Sequence, residues 1–525
     1  MKTKYFILSI LTAVLALSSC SKLLDIPRKA AIDYDTYYKT DEEIESAAIT
    51  MYSDVRGWYY NVMLVKNILS DDYFAGGAAH GDNAQMDALG EFGFNSESEQ
   101  IQGSFSGYYG LIYHANVVIG HINPEQSKAA ARAVAEAHLF RGWAYFELTT
   151  LWGNPPIVDH ELSPSEYAKG NGSTEDLWKL VEDDLTYAIN SGALAHKTSL
   201  NDNTCWRVTE EFAKALLGKA YLWMAWALDD KSYYQKSATQ LDAVVNSNLY
   251  DLWTGGPYGD MRHQAYKMNC EDLFESIRVN DPDNSGDNFD FYGAMVSWRS
   301  SGGEMTIPEN VAGTGGWGFM VPTEELLEAF QTWEKGPNSY RRTETLKTYD
   351  ELKAMGVQWN TVTLSTGIFN WKGRFLTEDL SFYAMINYKN PLWMRFAEVL
   401  FLGAEANFEA GNTDLALTYI NRIRTRAKLP DLSAGELNLD AIKMEKRLEL
   451  CGEGQRYQDI LRWGDAYDLL KEAGKVYPTM ETNGIVKYVP TGRSEYGFKK
   501  GKHERLPYPY TETMLNKVIQ QNPNY

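Results

Sequence analysis

Three glutamates, Glu445, Glu449 and Glu453, stand four residues apart in the stretch AIKMEKRLELCGEGQRYQDILRWG. Paired carboxylates are the tools of glycoside hydrolysis, one protonating the leaving oxygen while the other attacks or activates water. Here Lys446, Arg447 and Arg456 are interleaved with them, so ion pairing and helix packing explain the pattern more simply. Other chemical motifs are near misses. GSFSG (103–107) puts Phe105 where a nucleophile elbow needs serine. The eight histidines are scattered and form no H-E-x-x-H. GTGGWG (313–318) satisfies G-x-G-x-x-G, but Pro308 precedes it and Pro322 stands before the next helix can begin. The strand–turn–helix that lays a phosphate on a helix N-terminus is therefore absent. DPDNSGDNFD (281–290) opens like a calcium loop with Asp281, Asp283, Ser285 and Gly286, yet its twelfth position is Tyr292 instead of a bidentate glutamate. No catalytic residue, metal site or cofactor is expected, although a cation near Asp281–Asp290 stays open.

The four cysteines, Cys20, Cys205, Cys270 and Cys451, include no C-x-x-C pair, so a metal knuckle or disulfide framework has little to build on. The last three read as small buried hydrophobes. Cys20 follows a basic start and the uncharged run YFILSILTAVLAL (5–17). Residues 1–19 have the form of a secretory signal and are too short to cross roughly 30 Å of hydrocarbon. Leu17-Ser18-Ser19-Cys20 resembles the bacterial lipoprotein box, which implies cleavage before Cys20 and a lipid on its sulfur. Loss of Lys2 and Lys4 with the signal takes the formal charge from −20 to −22. Such a chain repels phosphate backbones, so nucleic acid is a poor partner. The same charge offers no reason for peripheral binding to anionic lipid, leaving attachment to the lipid.

Helical periodicity dominates the rest and comes in pairs. AAARAVAEAHLFRGWAYFELTTLW (129–152) ends at Gly153-Asn154-Pro155-Pro156 and is followed by a helix capped within Ser173–Asp176. EFAKALLGKAYLWMAWAL (211–228) is followed by YQKSATQLDAVVNS (234–247), and RFAEVLFLGAEANFEAG (395–411) by NTDLALTYINRIRTRA (412–427). Gly142-x-x-Tyr145, Leu217-Gly218-x-x-Tyr221, and the set Ala404, Ala416, Ile420 and Pro430 fall near tetratricopeptide spacing. The expected fold is mainly α: tetratricopeptide-like hairpins, dispersed along the chain, forming one compact body with long aromatic- and Gly-rich loops. Those loops fill the region between about 250 and 390. After the signal, the chain divides into an N-terminal region to residue 250 and a C-terminal region, 251–525, packed on it.

Several stretches, in order from Cys20 to Tyr525, together resemble the SusD/RagB family of Bacteroidetes outer-membrane nutrient-binding lipoproteins. They are Leu24-Asp25-Ile26-Pro27 behind the lipid cysteine, YYGLIYHANVVIGHI (108–122), AEAHLFRGWAYFELTTLWGNPPIV (135–158), the block containing Glu445–Glu453, and the closing LPYPYTETMLNKVIQQNPNY. Two features depart from that pattern. Ser21–Asp25 carries one acidic residue where the family often has several, and the loop 71–95 matches no ligand-specific pattern. The resemblance implies a lipid-anchored protein in the outer membrane, facing outward, that captures a glycan without breaking bonds. It further implies delivery to a SusC-like TonB-dependent transporter. A surface glycoside hydrolase, a helical-repeat scaffold and a peptide-binding lipoprotein are the alternatives.

Sugar sites pair Trp or Tyr planes with hydrogen-bonding side chains, because pyranoses present flat C–H faces and hydroxyls. Trp317, flanked by glycines, is the leading platform, with Tyr292, Trp298 and Arg299 near it in sequence. By the resemblance, Asp72, Tyr73, Phe94 and Asn95 join the candidates. Trp223 and Trp226, on a helix, read as core.

Overall fold

The computed structural model describes residues 37–279, 291–380 and 388–525. Cys20, the signal segment and the Asp281–Asp290 loop lie outside the described residues. The body opens with α1 (Asp41–Ile68), whose Thr40 side chain accepts from the Glu43 amide while Glu43 Oε2 accepts from Thr40 N, a reciprocal cap. A short strand, β1 (Tyr73–Gly76), precedes α2 (Glu99–His121). Next are α3 (Lys128–Trp152), capped by Ser127, and α4 (Thr174–Asn190), capped by Ser173. The chain continues into α5 (Glu210–Ala227) and α6 (Ser232–Asn246). After β2 (Asp272–Glu275), the short α7 (Phe291–Val296), β3 (Phe319–Pro322) and β4 (Leu392–Arg395), the last hairpin is formed by α8 (Phe396–Glu409) and α9 (Thr413–Arg426). Then α10 (Leu439–Leu450) carries the C-terminal block.

The expected hairpins are present within two residues of their sequence limits, and they are not dispersed in space. Successive helices pack from α1 through α6, and α8 then docks on α6 as if no residues had intervened. A small residue sits at each hairpin crossing. A Cβ on Gly142 would meet Asp184 and Leu185 at 3.1 Å, and one on Gly218 would meet Leu241 Cγ at 2.6 Å. The third crossing uses Gly403 against the Tyr419 ring at 3.0 Å, next to the Ala404 that spacing suggests. Leu241 is fully buried and has nowhere cheap to go. Gly218→Ala should therefore lose stability by overpacking, about 1–3 kcal/mol, against a helix-propensity gain of at most about 1 kcal/mol. A denaturant midpoint that rises instead would show that Leu241 can rotate aside.

The GSFSG segment lies inside α2, where Gly107 faces Trp58 and Gly103 faces Asn61 across the contact with α1. Its glycines serve a close helix crossing. One apolar core runs from Tyr38 to Ile519 and so spans both sequence regions. A smaller cluster around Trp298, Trp359, Phe369 and Trp371 supports the long loops.

The C-terminal block is a buried ion-pair network. Arg395, at the end of β4 and wholly unexposed, donates to Glu271 at 2.6 Å, Glu449 at 2.8 Å and Glu453 at 2.8 Å. Glu449 is also held by Arg426 and, at 3.5 Å, by Arg341. Glu445 accepts from Arg341 at 2.8 Å, from Arg424, and from Trp333 Nε1 at 2.6 Å. Arg447 and Arg456 reach across to Asp72 at 2.8 Å and Asp71 at 2.7 Å. The three glutamates do not continue along one helix. α10 stops at Leu450, and Gly452 and Gly454, with φ of +77° and +74°, turn the chain so that Glu453 meets Lys372 and Arg262 as well as Arg395.

Burial alone would raise the Glu449 carboxyl, but Arg426, Arg395 and Arg341 overcome it and hold it at about 2, against an ordinary 4.5. Its contribution to stability is complete above the unfolded value near 4.5 and is lost as pH falls toward 2. The melting-temperature gap between wild type and Glu449→Gln should accordingly be smaller at pH 3 than at pH 7. A gap that does not narrow would mean that the glutamate is not the charged partner drawn here.

Candidate functional site

Two loops separated by about 240 residues in sequence are joined by one antiparallel ladder. β1 pairs with β3 in the register Tyr73↔Pro322, Phe74↔Val321 and Gly76↔Phe319, and the Gly77 amide donates to Gly318 O at 2.9 Å. Beyond the end of this ladder lie the loop 77–83 on one side and the 313–318 loop on the other. A Cβ on Gly76 would fall 2.4 Å from Gly318 O, so glycine is required for the approach. The first loop is pinned by His80, which stacks on Tyr477 (4.4 Å between centroids, 8° between planes) while its Nε2 lies 2.6 Å from Glu91.

The glycines of GTGGWG pack the second loop against residues 297–301. The Trp317 amide donates to Ala294 O at 2.9 Å, Gly318 N to Ser297 O at 2.8 Å, and Ser300 N to Gly316 O at 3.0 Å. A Cβ on Gly316 would sit 2.4 Å from Trp298 O. The loop is thus a packed edge and not a freely projecting finger. Trp317 is half-buried, with its ring edge-to-face with Phe291 at 5.1 Å, and Phe291 in turn is edge-to-face with Tyr60 at 5.1 Å. Phe291 is exposed and Tyr60 partly so. Three aromatic rings from α1, α7 and the 313–318 loop therefore share one face of the molecule.

The other residues singled out by sequence have different places. Asp72 and Tyr73 are buried, Asp72 beneath Arg447 and Tyr73 beside Gly452. Phe94 is buried against His503 and Tyr525. Asn95 is exposed, its Oδ1 accepting from the Glu97 amide at 2.8 Å in the turn before α2. Trp298 is interior, its Nε1 donating to Asn370 O at 3.0 Å. Arg299 is ion-paired to Glu304 at 2.8 Å and spans the loop to Trp317 O at 3.3 Å. Tyr292 is nearly buried and its hydroxyl accepts from Asn67 Nδ2 at 3.0 Å. As they stand, Asp72, Tyr73, Phe94 and Trp298 support the site's frame from inside, since each is enclosed by its neighbours.

Tyr292 also lines a cleft of about 100 Å³, together with Tyr59, Arg262, Asn370, Lys372 and Glu453. Successive residues of α7 thus serve two places, Phe291 the aromatic face and Tyr292 the cleft. Phe291 and Tyr60 escaped the sequence reading. Phe291 adjoins Tyr292 and could have been noticed; Tyr60 sits in a long amphipathic helix and carries no local signal. Of the three remaining cysteines, Cys451 is buried and Cys205 and Cys270 are partly exposed; none is disulfide-bonded. Among the described residues no group of three or more His, Cys, Asp or Glu side chains is arranged to hold a metal, and no helix is long and apolar enough to cross a membrane.

Comparison with known proteins agrees with this architecture. Residues 293–525 match the family model described as the SusD family, and residues 32–222 match one described as starch-binding and associating with the outer membrane. A SusD-like protein of Bacteroides ovatus is 24% identical over 499 residues, covering 88% of this chain and 83% of that one. A SusD-like protein of Formosa agariphila is 23% identical over 557 residues, covering 99% and 100%. Among solved structures, a laminarin-binding SusD-like protein superposes with a TM-score of 0.76 at 25% identity, over 93% of this chain and all of that one. Surface glycan-binding protein A from Bacteroides thetaiotaomicron, solved with laminarihexaose, superposes at 0.70 with 22% identity, over 92% and 100%. The chain belongs to the SusD family of glycan-binding proteins that associate with the outer membrane.

Proposed function

We propose that this protein captures a glycan on the face formed by Trp317, Phe291 and Tyr60 and passes it to a SusC-like TonB-dependent transporter. The carrying observation is the convergence of three partly exposed aromatic rings beyond the β1–β3 ladder, in a SusD-family chain. Flat rings at right angles offer a sugar chain a stacking surface and an edge. Loop peptides beside the rings would serve hydroxyls, and Asn95, exposed in the turn before α2, is a further candidate. No bond is broken. Glu445, Glu449 and Glu453, whose spacing first suggests hydrolysis, are all occupied by arginine or lysine. Attachment is through lipidated Cys20, with the body facing the cell exterior.

Laminarihexaose is the natural first probe, given the two laminarin-related structural neighbours. Titration calorimetry over a panel of neutral oligosaccharides including it should give saturable heat with at least one member. No heat with any sugar would favour a scaffold or a peptide binder, and turnover of a labelled glycan would favour a hydrolase. For the anchor, Cys20→Ala should move the protein out of the detergent phase. Two or three acyl chains, at about 0.8 kcal/mol per buried CH₂, hold stably where one chain is marginal. Equal partitioning of mutant and wild type would remove the lipid from the account.

A further inference from the structure

The stripe of α1 that carries Tyr60 continues away from the aromatic face. Arg56, Ser53 and Ile49 precede Tyr60 by four, seven and eleven residues, spacings that keep them on one side of the helix. With Tyr52, Trp206 and Ile277, those three line a groove of about 200 Å³. Tyr60 meets Phe291, so the groove and the aromatic face are neighbours along a single helix. Ile49 lies about 16 Å from Tyr60 along the axis, at about 1.5 Å per residue. Pockets for whole drug-sized ligands run to roughly 300–1,000 Å³, so this groove suits one ring of a longer chain.

Trp206 walls the groove and is 37% exposed. Its ring is edge-to-face with Tyr52 at 5.2 Å, and the Arg207 guanidinium lies 4.6 Å from its centroid. Arg207 is anchored by Glu45 and, at 2.9 Å, by Glu136, which also accepts from the Tyr52 hydroxyl at 2.9 Å. Arg207 lines a smaller recess beyond Trp206 and not the groove itself. The indole is therefore held from behind and needs little ordering to receive a ligand. The groove's donors are unused. Among the described residues, the Arg56 guanidinium, the Ser53 hydroxyl and Trp206 Nε1 have no hydrogen-bond or ion-pair partner. Glu275 lines the groove as well, its Oε2 accepting from the Met268 amide and from Asn390 Nδ2, each at 2.9 Å. An anion would meet Glu275 in a chain of charge −20, and a cation would meet Arg56. Hydroxyls use donors and an acceptor together, and the C–H face of a sugar suits the indole.

We infer that the groove is a second sugar subsite, where one pyranose of a neutral glycan stacks on Trp206 and accepts hydrogen bonds from Arg56 and Ser53. The inference rests on the reading that the Trp317–Phe291–Tyr60 face binds glycan, and adds that the bound chain continues along α1. Short oligosaccharides then fill the face alone, and longer ones gain affinity from Trp206.

The test is titration calorimetry with unlipidated protein beginning at Ser21, a chain that retains every described element. The probes are laminaritriose, laminarihexaose and laminarin, or the same sizes of whichever panel glycan gives heat. Wild type should bind the longest chain at least about tenfold more tightly than the trimer, the increment of one stacked ring. Trp206→Ala should lose most of that gain and keep the trimer's affinity, whereas Trp317→Ala should weaken every length. Arg56→Gln breaks no internal hydrogen bond and should leave the melting curve unchanged. It should weaken the longest chain by roughly threefold to tenfold, as for a lost hydrogen bond. Retention of the full gain in both Trp206→Ala and Arg56→Gln would overturn the inference and leave the glycan face standing. So would an equal loss at every length in Trp206→Ala. No heat with any sugar would remove both readings at once.

Discussion

Glu449→Gln is expected to destabilise the fold by about 3–5 kcal/mol, the cost of stranding buried charge. Three arginines point at this carboxylate from different elements, Arg395 from β4, Arg426 from α9 and Arg341 from the segment before the 346–348 strand. Glutamine keeps the shape and some hydrogen bonding but removes the charge that balances them. Arg341 and Arg395 cannot reach water instead, since they are among the most deeply buried large side chains of the molecule. A whole-network replacement by apolar residues could be neutral, because the desolvation cost would vanish with the charges. A single change cannot be. Thermal or denaturant melts read the result directly. Unchanged melting together with altered ligand binding would move the block from scaffold to site.

Trp317→Ala should weaken glycan binding by about 1–3 kcal/mol, by analogy with aromatic stacking on nucleic-acid bases, roughly tenfold to more than a hundredfold in Kd. The ring is half-buried, so some stability goes with it. The edge contact with Phe291 contributes about 0.5–1.5 kcal/mol beyond area burial. That stays below the about 3–5 kcal/mol expected for truncating an interior tryptophan. Trp298 supplies the control, being nearly inaccessible and hydrogen-bonded to Asn370 O. Trp298→Ala should collapse the melt, whereas Trp317→Ala should shift it modestly and lose the sugar. If Trp317→Ala binds laminarihexaose, or another confirmed ligand, like wild type, the platform lies elsewhere. The cleft beside Tyr59 and Tyr292 then becomes the place to look.

Much of the scaffold was legible because its determinants are local. Helix periodicity, the Ser173 cap and the Gly153-Asn154-Pro155-Pro156 stop act within a few residues of themselves. The pairing of Arg447, Glu449 and Arg456 was also readable, since charges interleaved with apolar helix positions must be buried with partners. Which partners could not be read. Asp71, Asp72, Arg395 and Arg426 come from elements that approach only after the hairpins stack.

The sequence by itself determined a mainly helical body of tetratricopeptide-like hairpins, a paired C-terminal block and a resemblance to one family. Each follows from patterns repeated within a turn or two of helix, or from motifs kept in order. Only the tertiary structure decided that the hairpins form one unbroken stack, that β1 and β3 meet, and that Trp317 shares its face with Phe291 and Tyr60. It alone turned Asp72, Tyr73, Phe94 and Trp298 inward. The physical reason is that a loop has no period. Without one, nothing in the residue order says which side of an aromatic faces solvent, and burial there is set by whatever distant segment packs over it.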